Sequence, residues 1–473
     1  MKKTGILKQW SSKIEFWIFV FFLIRLIGIT NPPLEISHNW RQVTGLMVAR
    51  NFVEVDANVL YPRIDDFNGG SDIIAMEFPS MNYLHYLFSE LFGYTHWYGR
   101  LINLVVSSLG LFFFYKCAKT AGISERTAFY ATIILSASIW FSFSRKMMPD
   151  TYCISLMFIA LYYGLKFLHN HKYPLLFLYV VFSSLALLSK IPAGIYLVIL
   201  LPFIFNRKYE LKTRIIISVI TAIPLLLAYW WYFVWNPLLA AEYGNWYNIG
   251  KPMLTGIKEL SDNLGKTVDN FYFDAFSGFI MFLFCIGGCI LVIIKKETKI
   301  ILTFFMVFIV FVLYMFKSGF FFYHHNYYII PFVPVMALLA GYAIASINKR
   351  WIVFLILLLG ISESIANQQH DFFIKDSEKY KLTIEPILNE FSSKNDLILV
   401  NGNGNPQMIY LAHRKGFNCN NAQLIDSLYI TNAKNSGCRF AVVNKHSEPD
   451  TGYLQSSFNT VFDNDDFRIF ALN

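Results

Sequence analysis

The sequence predicts an all-α polytopic membrane domain of about eleven transmembrane helices, followed by a small C-terminal α/β extracytoplasmic domain. Three observations predict it. Of 473 residues, 55% are hydrophobic and only 15% charged, with a mean hydropathy of +0.44; a water-soluble core cannot absorb that much apolar surface. The apolar residues gather into runs long enough to cross a hydrocarbon layer, where a helix satisfies its own backbone groups. Residues 368–473 break the pattern with a polar segment carrying short strand-like runs.

The runs lie near 16–30, 99–115, 127–144, 150–168, 174–190, 193–206, 215–235, 274–294, 300–316, 327–347 and 351–367. The basic start "MKKTGILKQWSSK" resembles a signal peptide, but no small-x-small cleavage site follows, so the first run is read as an uncleaved helix. Lys and Arg orient the rest. They crowd the N-terminus (Lys2, Lys3, Lys8, Lys13) and alternate loops: Lys116, Lys119 and Arg126; Lys166 and Lys172; Arg207, Lys208, Lys212 and Arg214; Lys295, Lys296 and Lys299; Lys349 and Arg350. The intervening turns hold only Arg145, Lys146, Lys190 and Lys317. The N-terminus is therefore expected in the cytoplasm, with segments 31–98 and 236–273 and the C-terminal domain facing outward. This asymmetry also accounts for the net charge of +9 without a nucleic-acid partner.

The expected domains are 1–367, the membrane part with its long loop 31–98, and 368–473, a soluble α/β domain large enough for one core. In the latter, "DLILVNG" and "RFAVVNK" read as buried strands, "EKYKLTIEPILNEFSS" as a helix interrupted near Pro386, and "NPQMIYLAHRKG" as a helix ending at Gly416. "NGNGNP" lacks the spacing and the Lys-Ser/Thr of a phosphate loop, and reads as a strand-to-helix turn. Cys117, Cys153, Cys285 and Cys289 fall in or beside apolar runs as packing residues. Cys419 and Cys438 lie in the outward domain, where a disulfide is chemically permitted and a pair of thiols equally so.

Polar residues that a membrane anchor does not need concentrate on the expected outer side. "HNWRQVTGLMVARNF" contributes His38 and Arg41, "YPRIDDFNGG" Arg63, Asp65 and Asp66, and "AMEFPSMNYL" Glu77. "SRKMMPDTY" adds Arg145, Lys146 and Asp150, and "LLSKIP" adds Lys190. Each charge at membrane depth costs roughly 2.5–3.5 kcal/mol on insertion scales, so their convergence marks a site. The structural alternatives are snorkelling for Arg145 and Lys146, helix capping for Asp150 and turn formation for Asp65 and Asp66. "HNWRQVTGLMVARNF" itself places Trp40, Val43 and Met47 on one stripe, as in an amphipathic interfacial helix. His324 and His325 in "YHHNYY" are weak metal candidates beside an aromatic belt; no cofactor is required, and a divalent metal is possible but not indicated.

Carboxylates beside Arg and Lys at the lipid boundary suit transfer of a sugar from a lipid phosphate. Cations hold the phosphate as it leaves, and a carboxylate takes the acceptor proton. "HNWRQVTGLMVARNF", "LYPRID", "EFP", "GRLINL", "RKMMPD", "LLSK" and "YYIIPFVPVMALLAGY", in this order, resemble bacterial GT-C fold glycosyltransferases. The likeness is to the group (glycosyltransferase family 39-like) related to dolichyl-phosphate-mannose protein mannosyltransferases and the lipid A aminoarabinose transferase. It covers about residues 15–350, and "NPQMIYLAHRKG" resembles part of an outward domain that some members carry.

That resemblance implies jacket helices in the first loop and inverting transfer from a polyprenyl-phosphate sugar, a hexose or pentose, to a lipid, glycan or protein acceptor. Relatives commonly carry an acidic pair at the start of the first loop; here Arg41 and Gln42 stand at those positions. The base is then expected at Asp150 or Glu77, with Asp65 third. Arg41, Arg145, Lys146, Lys190, Arg63 and His38 are the candidates for holding the donor. Two other readings compete. A lipid-linked oligosaccharide flippase would show repeat symmetry and broken helices near the midplane. An inactive relative acting as a glycan-binding or scaffold protein would explain Arg41 and Gln42.

Overall fold

A computed structural model describes residues 10–35, 37–67, 70–244, 250–447 and 449–472. The chain divides into two compact units, one of Met1–Ile29, Gly99–Val234 and Asn248–Phe372, the other of Thr30–Tyr98, Trp235–Tyr247 and Phe373–Asn473.

The first unit is helical. Each apolar run has a helical counterpart, and among the described residues five helices are long and apolar enough to cross a membrane: Tyr98–Thr120, Pro149–Asn170, Leu211–Tyr243, Thr298–Ser318 and Arg350–Asn389. Tyr173–Ser189, Ile191–Phe205, Ile280–Ile294 and Val333–Ala345 are shorter apolar helices. The weakest run, 193–206, contains a 3₁₀ segment, Ile191–Leu200, that opens on Pro192 before one α-turn. Helix starts follow local chemistry: Ser124 caps Glu125–Ala137 by accepting from the Thr127 amide, and Pro149 occupies the first turn of Pro149–Asn170.

Where helices touch, small residues let the backbones approach. A Cβ on Gly341 would lie 2.5 Å from the Ala131 amide nitrogen, and one on Gly288 would lie 2.0 Å from the Leu339 carbonyl. Large apolar side chains such as Val219, Leu226, Leu283 and Ile309 remain exposed on other faces, the all-round hydrophobicity of helices surrounded by lipid.

The second unit is built on a five-stranded sheet in the order β2-β1-β3-β5-β4. β1 (Leu397–Val400) runs parallel to β2 (Gly416–Asn418) and β3 (Cys438–Asn444), and β5 (Phe467–Ala471) is antiparallel to β3 and β4 (Asn459–Asp463). β1 and β3 are the predicted strands, and their near-continuous burial explains the apolar runs. The helix expected to end at Gly416 ends earlier: Gln407–Ala412 stops at His413, which is left-handed, and Gly416 opens β2. A Cβ there would sit 1.8 Å from the Ile398 carbonyl oxygen. "EKYKLTIEPILNEFSS" divides into a 3₁₀ stretch, Asp376–Thr383, and a short α-helix, Ile384–Asn389. "NGNGNP" is a strand-to-helix turn with Asn403 and Gly404 left-handed.

Cys419 and Cys438 are free buried thiols in one apolar core, so the permitted disulfide is absent. Register explains this. Cys438 pairs with Leu397 on one side of β1, while Cys419 follows β2 on the other. Two strand spacings separate them, about 9–10 Å, beyond the roughly 7 Å Cα limit for a bridge.

The first loop belongs to this unit. The Asp65 carbonyl accepts from the Gly416 amide at 2.9 Å and the Phe67 amide donates to the Gly416 carbonyl at 2.7 Å, so residues 65–67 close the β2 edge of the sheet. The Asn39–Glu54 helix departs from the expected amphipathic stripe. Trp40 is 40% exposed, whereas Gln42, Thr44, Leu46, Arg50 and Asn51 are buried together with Val43 and Met47. The helix is packed on several faces: the Asn82 side chain donates to the Gly45 carbonyl, and Arg50 donates to the Tyr410 carbonyl at 3.0 Å.

Candidate active site

In the helical unit, Asp150 lies in the first turn of Pro149–Asn170, where aligned peptide dipoles favour a carboxylate. It is buried, and Lys190 Nζ donates to its Oδ1 at 2.5 Å. Oδ2, also buried, makes no hydrogen bond among the described residues. Lys190 sits where Tyr173–Ser189 ends and the backbone turns extended before Ile191–Pro192. Its ammonium lies 5.0 Å from the Tyr327 ring centroid and 5.6 Å from that of Tyr328, and Tyr328 stacks on Tyr314 at 5.9 Å. Asp150, Lys190 and part of "YHHNYY" thus converge from three separate segments.

Arg145 and Lys146 are held elsewhere in this unit. Lys146, almost wholly buried, pairs with Asp371 at 3.1 Å. The Arg145 guanidinium lies 3.9 Å from the Phe372 ring centroid and donates to the Ile27 carbonyl at 2.7 Å. The loop between them and Asp150 is fixed by Asn103, whose amide donates to the carbonyls of Phe143, Lys146 and Met148, while its oxygen accepts from Ser107 and Thr151. Snorkelling does not describe these two cations, because both are sealed from solvent by protein contacts.

His324 and His325 lie among rings. His324 stacks on Phe320 at 4.7 Å and His325 on Tyr327 at 5.2 Å, and no group of three potential metal ligands occurs among the described residues.

In the second unit, Arg41 and Glu77 form a half-buried ion pair. At the next position of the same helix, Gln42 donates to Glu35 at 3.0 Å, with both side chains buried. Asp65 has both carboxylate oxygens engaged, by Arg50 at 2.6 Å and by Asn51 at 2.8 Å. Burial alone would lower the Arg50 pKa, but the neighbouring Asp65 charge outweighs it and holds the guanidinium above its usual value. Asp65 thereby ties the Asn39–Glu54 helix to the following loop. Arg63 is committed likewise: it shares Asp72 with Lys415, at 2.8 and 2.9 Å. Burial raises the Asp72 pKa, but the bonds from Lys415 and Arg63 leave it below the ordinary value. His38 occupies the position before Asn39–Glu54 in a left-handed conformation.

Three participants escaped the sequence reading. Glu35 follows "NPPL", an acid inside an apolar turn, and that oddity was its signal. Asn103 was readable as a polar residue at membrane depth in "GRLINL". Asp371, in the polar stretch "NQQHDFF", had no distinguishing signal.

A family model described as dolichyl-phosphate-mannose-protein mannosyltransferase matches residues 77–233. No curated protein matches the chain by sequence. Among solved structures, ArnT from Cupriavidus metallidurans bound to undecaprenyl phosphate is similar, with a TM-score of 0.59 and 13% identity, covering 100% of this chain and 98% of that one. Its apo state gives a TM-score of 0.57 at 12% identity, covering 97% and 98%. An Archaeoglobus fulgidus oligosaccharyltransferase tethered to an acceptor peptide gives 0.56 at 11%, covering 97% of this chain and 74% of that one. The chain therefore has the GT-C fold of ArnT over its whole length, with a stretch matching the dolichyl-phosphate-mannose-protein mannosyltransferases at residues 77–233.

Proposed function

We propose that the protein is a membrane glycosyltransferase that moves a sugar from a polyprenyl-phosphate donor to a lipid, glycan or protein acceptor on the periplasmic face of the inner membrane. The observation that carries this reading is the buried Asp150–Lys190 pair, whose second carboxylate oxygen has no hydrogen bond among the described residues. It sits in a chain whose fold matches, end to end, a structure bound to undecaprenyl phosphate.

In the proposed reaction a carboxylate accepts the proton of an acceptor hydroxyl as its oxygen bonds to the anomeric carbon. The bond from that carbon to the phosphate oxygen breaks on the opposite side, which inverts the configuration and releases polyprenyl phosphate. Asp150 is the first choice for the base and Glu77 the second. The cation assigned to the leaving phosphate is the one beside whichever acid serves as base, Lys190 for Asp150 or Arg41 for Glu77. No metal is written into the step, since the ammonium and guanidinium groups supply the positive charge.

The test is incubation of the purified protein with a panel of radiolabelled polyprenyl-phosphate sugars, scoring release of polyprenyl phosphate. Release by the wild type, abolished in the Asp150→Asn/Glu77→Gln double variant, supports the reading. Release undiminished in that variant removes both acids from the mechanism, and no release with any donor refutes glycosyl transfer from this class.

A further inference from the structure

The helical unit contains a cavity that the proposed reaction does not use. Tyr98–Thr120 and the turn after it wall it with Cys117, Ala121 and Ile123, Pro149–Asn170 with Phe158 and Leu165, and Thr298–Ser318 with Thr303. Segments Ile191–Leu200 and Val333–Ala345 complete the wall. At a rise of about 1.5 Å per residue, Phe158 and Leu165 stand about 12 and 22 Å along their helix from Asp150. The cavity thus lies towards the opposite end of the helices, where cations gather. Residues 116–126 and 295–299 at that end hold Lys116, Lys119, Arg126, Lys295, Lys296 and Lys299 against only two acids, Glu125 and Glu297.

The wall selects for hydrocarbon. The cavity measures about 50 Å³; a water-sized group takes roughly 10–15 Å³ on this measure, so about four fit, the size of a chain end. Three polar side chains reach the wall, and each is turned to a partner in the protein. Tyr196 donates to the Pro331 carbonyl at 2.7 Å, Cys117 to the Phe158 carbonyl at 3.2 Å and Thr303 to the Lys299 carbonyl at 2.9 Å. A buried water needs two to four polar partners, which a wall of carbon and committed donors does not offer. Ala121, Ile123 and Thr303 are only partly buried, so the cavity reaches the surface of the unit on their side.

That same side carries a cation. Lys299 is exposed, and its ammonium donates to the carbonyl of Gly122 at 3.3 Å, between the wall residues Ala121 and Ile123. It forms no ion pair among the described residues, and an ammonium has three protons to donate. The acids at this end are engaged elsewhere: Glu125 by Lys119 at 2.9 Å and Glu297 by Tyr342 at 3.1 Å. Lys299 also stands in the first turn of Thr298–Ser318, whose leading amides receive no side-chain cap, so charge and peptide dipole favour an anion at one place. A greasy cavity with a cationic rim matches a molecule with an apolar chain and an anionic head, and basic pockets between helices on the Lys- and Arg-rich side of a membrane hold such lipids.

We propose that this cavity and Lys299 form a binding site for an anionic phospholipid, with the end of one acyl chain in the cavity and the phosphate on the ammonium. The experiment is photolabelling of the full-length protein in phosphatidylcholine nanodiscs doped with phosphatidylglycerol that carries a diazirine near the end of one chain, read by peptide mass spectrometry. Label is expected on segments 117–123 and 158–165. Phosphatidylcholine with the same diazirine chain is expected to label them at least tenfold less, while both lipids label the exposed face at 283–294 alike. Lys299→Gln should reduce the difference between the headgroups to less than twofold. Ala121→Phe, which fills the cavity, should cut the label on both segments tenfold at an unchanged melting temperature; if that variant melts earlier, Lys299→Gln alone decides. Asp150→Asn should label as the wild type does, so the site stands or falls apart from the transfer reaction. Equal labelling by the two headgroups in the wild type, label that survives Ala121→Phe in a folded protein, or displacement of the label by equimolar undecaprenyl phosphate, which would make the cavity a seat for the donor's tail, overturns the proposal.

Discussion

Lys190 reaches across 40 positions of sequence to donate to Asp150, meeting the carboxylate at the first turn of a 22-residue helix. The pair joins an acid and a cation that reaction chemistry would use separately, and it leaves one carboxylate oxygen without a hydrogen bond among the described residues. If Asp150 is the base, Asp150→Asn will lower turnover by about 10²–10⁴-fold with little change in donor affinity. Steady-state release of polyprenyl phosphate measures both. A change confined to KM would assign Asp150 to binding.

Arg41 and Glu77 pose the complementary question, because an ion pair can serve structure or chemistry. A charge reversal separates the two. In the Arg41→Glu/Glu77→Arg variant a purely structural pair is rebuilt, and activity should recover relative to either single variant. A Glu77 that touches the substrate cannot be rescued in this way, so activity stays at the level of the single changes.

Asp65 is expected to matter for stability and not for the chemical step. Removing Arg50 strands a buried carboxylate, a loss of about 3–5 kcal/mol. Arg50→Met should therefore unfold at lower temperature and denaturant concentration, while transfer per folded molecule is retained. Lost turnover in a fully folded Asp65→Asn protein would contradict this division of labour.

His85 gives the second unit a pH dependence. It is buried, donates its Nε2–H to the Thr95 carbonyl at 2.9 Å, and stacks on Tyr94. Burial pushes its pKa from the usual 6.5 down to about 4. The native imidazole is thus neutral where the unfolded one takes up a proton. Stability is complete above pH 6.5 and falls as pH drops from 6.5 towards 4, by up to about 3 kcal/mol. Melting temperatures recorded across that window should show the fall in wild type and a flatter profile in His85→Gln.

The thiols provide a check on the sheet register. Cys419 and Cys438 are buried, which raises both pKa values to about 12. Maleimide should label neither in the folded protein and both after unfolding without reductant. Failure to label the unfolded chain would reveal a bridge that the strand order forbids.

How much of this was readable depended on whether the cause was local. The apolar runs and the buried strands β1 and β3 carry their signal in consecutive residues. The β4–β5 hairpin does not: β4 is an exposed edge strand, so "NTVFD" lacks the apolar alternation that marks a half-buried one. The Asn39–Glu54 helix looked amphipathic because the partners of its polar side chains lie elsewhere, Tyr410 for Arg50 and the loop residue Asp65 for Asn51. Asp150, Lys190, Arg41 and Glu77 were all identifiable as costly charges. Which acid would meet which cation was set by helix packing, and the same packing turned Arg145, Lys146 and Arg63 into anchors.

The strap of residues 65–67 along Gly416 has a consequence for biogenesis. Arg50 and Tyr410 are 360 positions apart, and the first loop finds its sheet only after nearly the whole chain has been made. At 5–20 residues per second that is a wait of roughly 20–70 s. During this interval Arg50 lacks its Tyr410 partner and residues 65–67 lack Gly416, so the loop is held only by pairs made without the sheet. A chain stopped before β1 would insert its helices normally yet leave the loop open to protease.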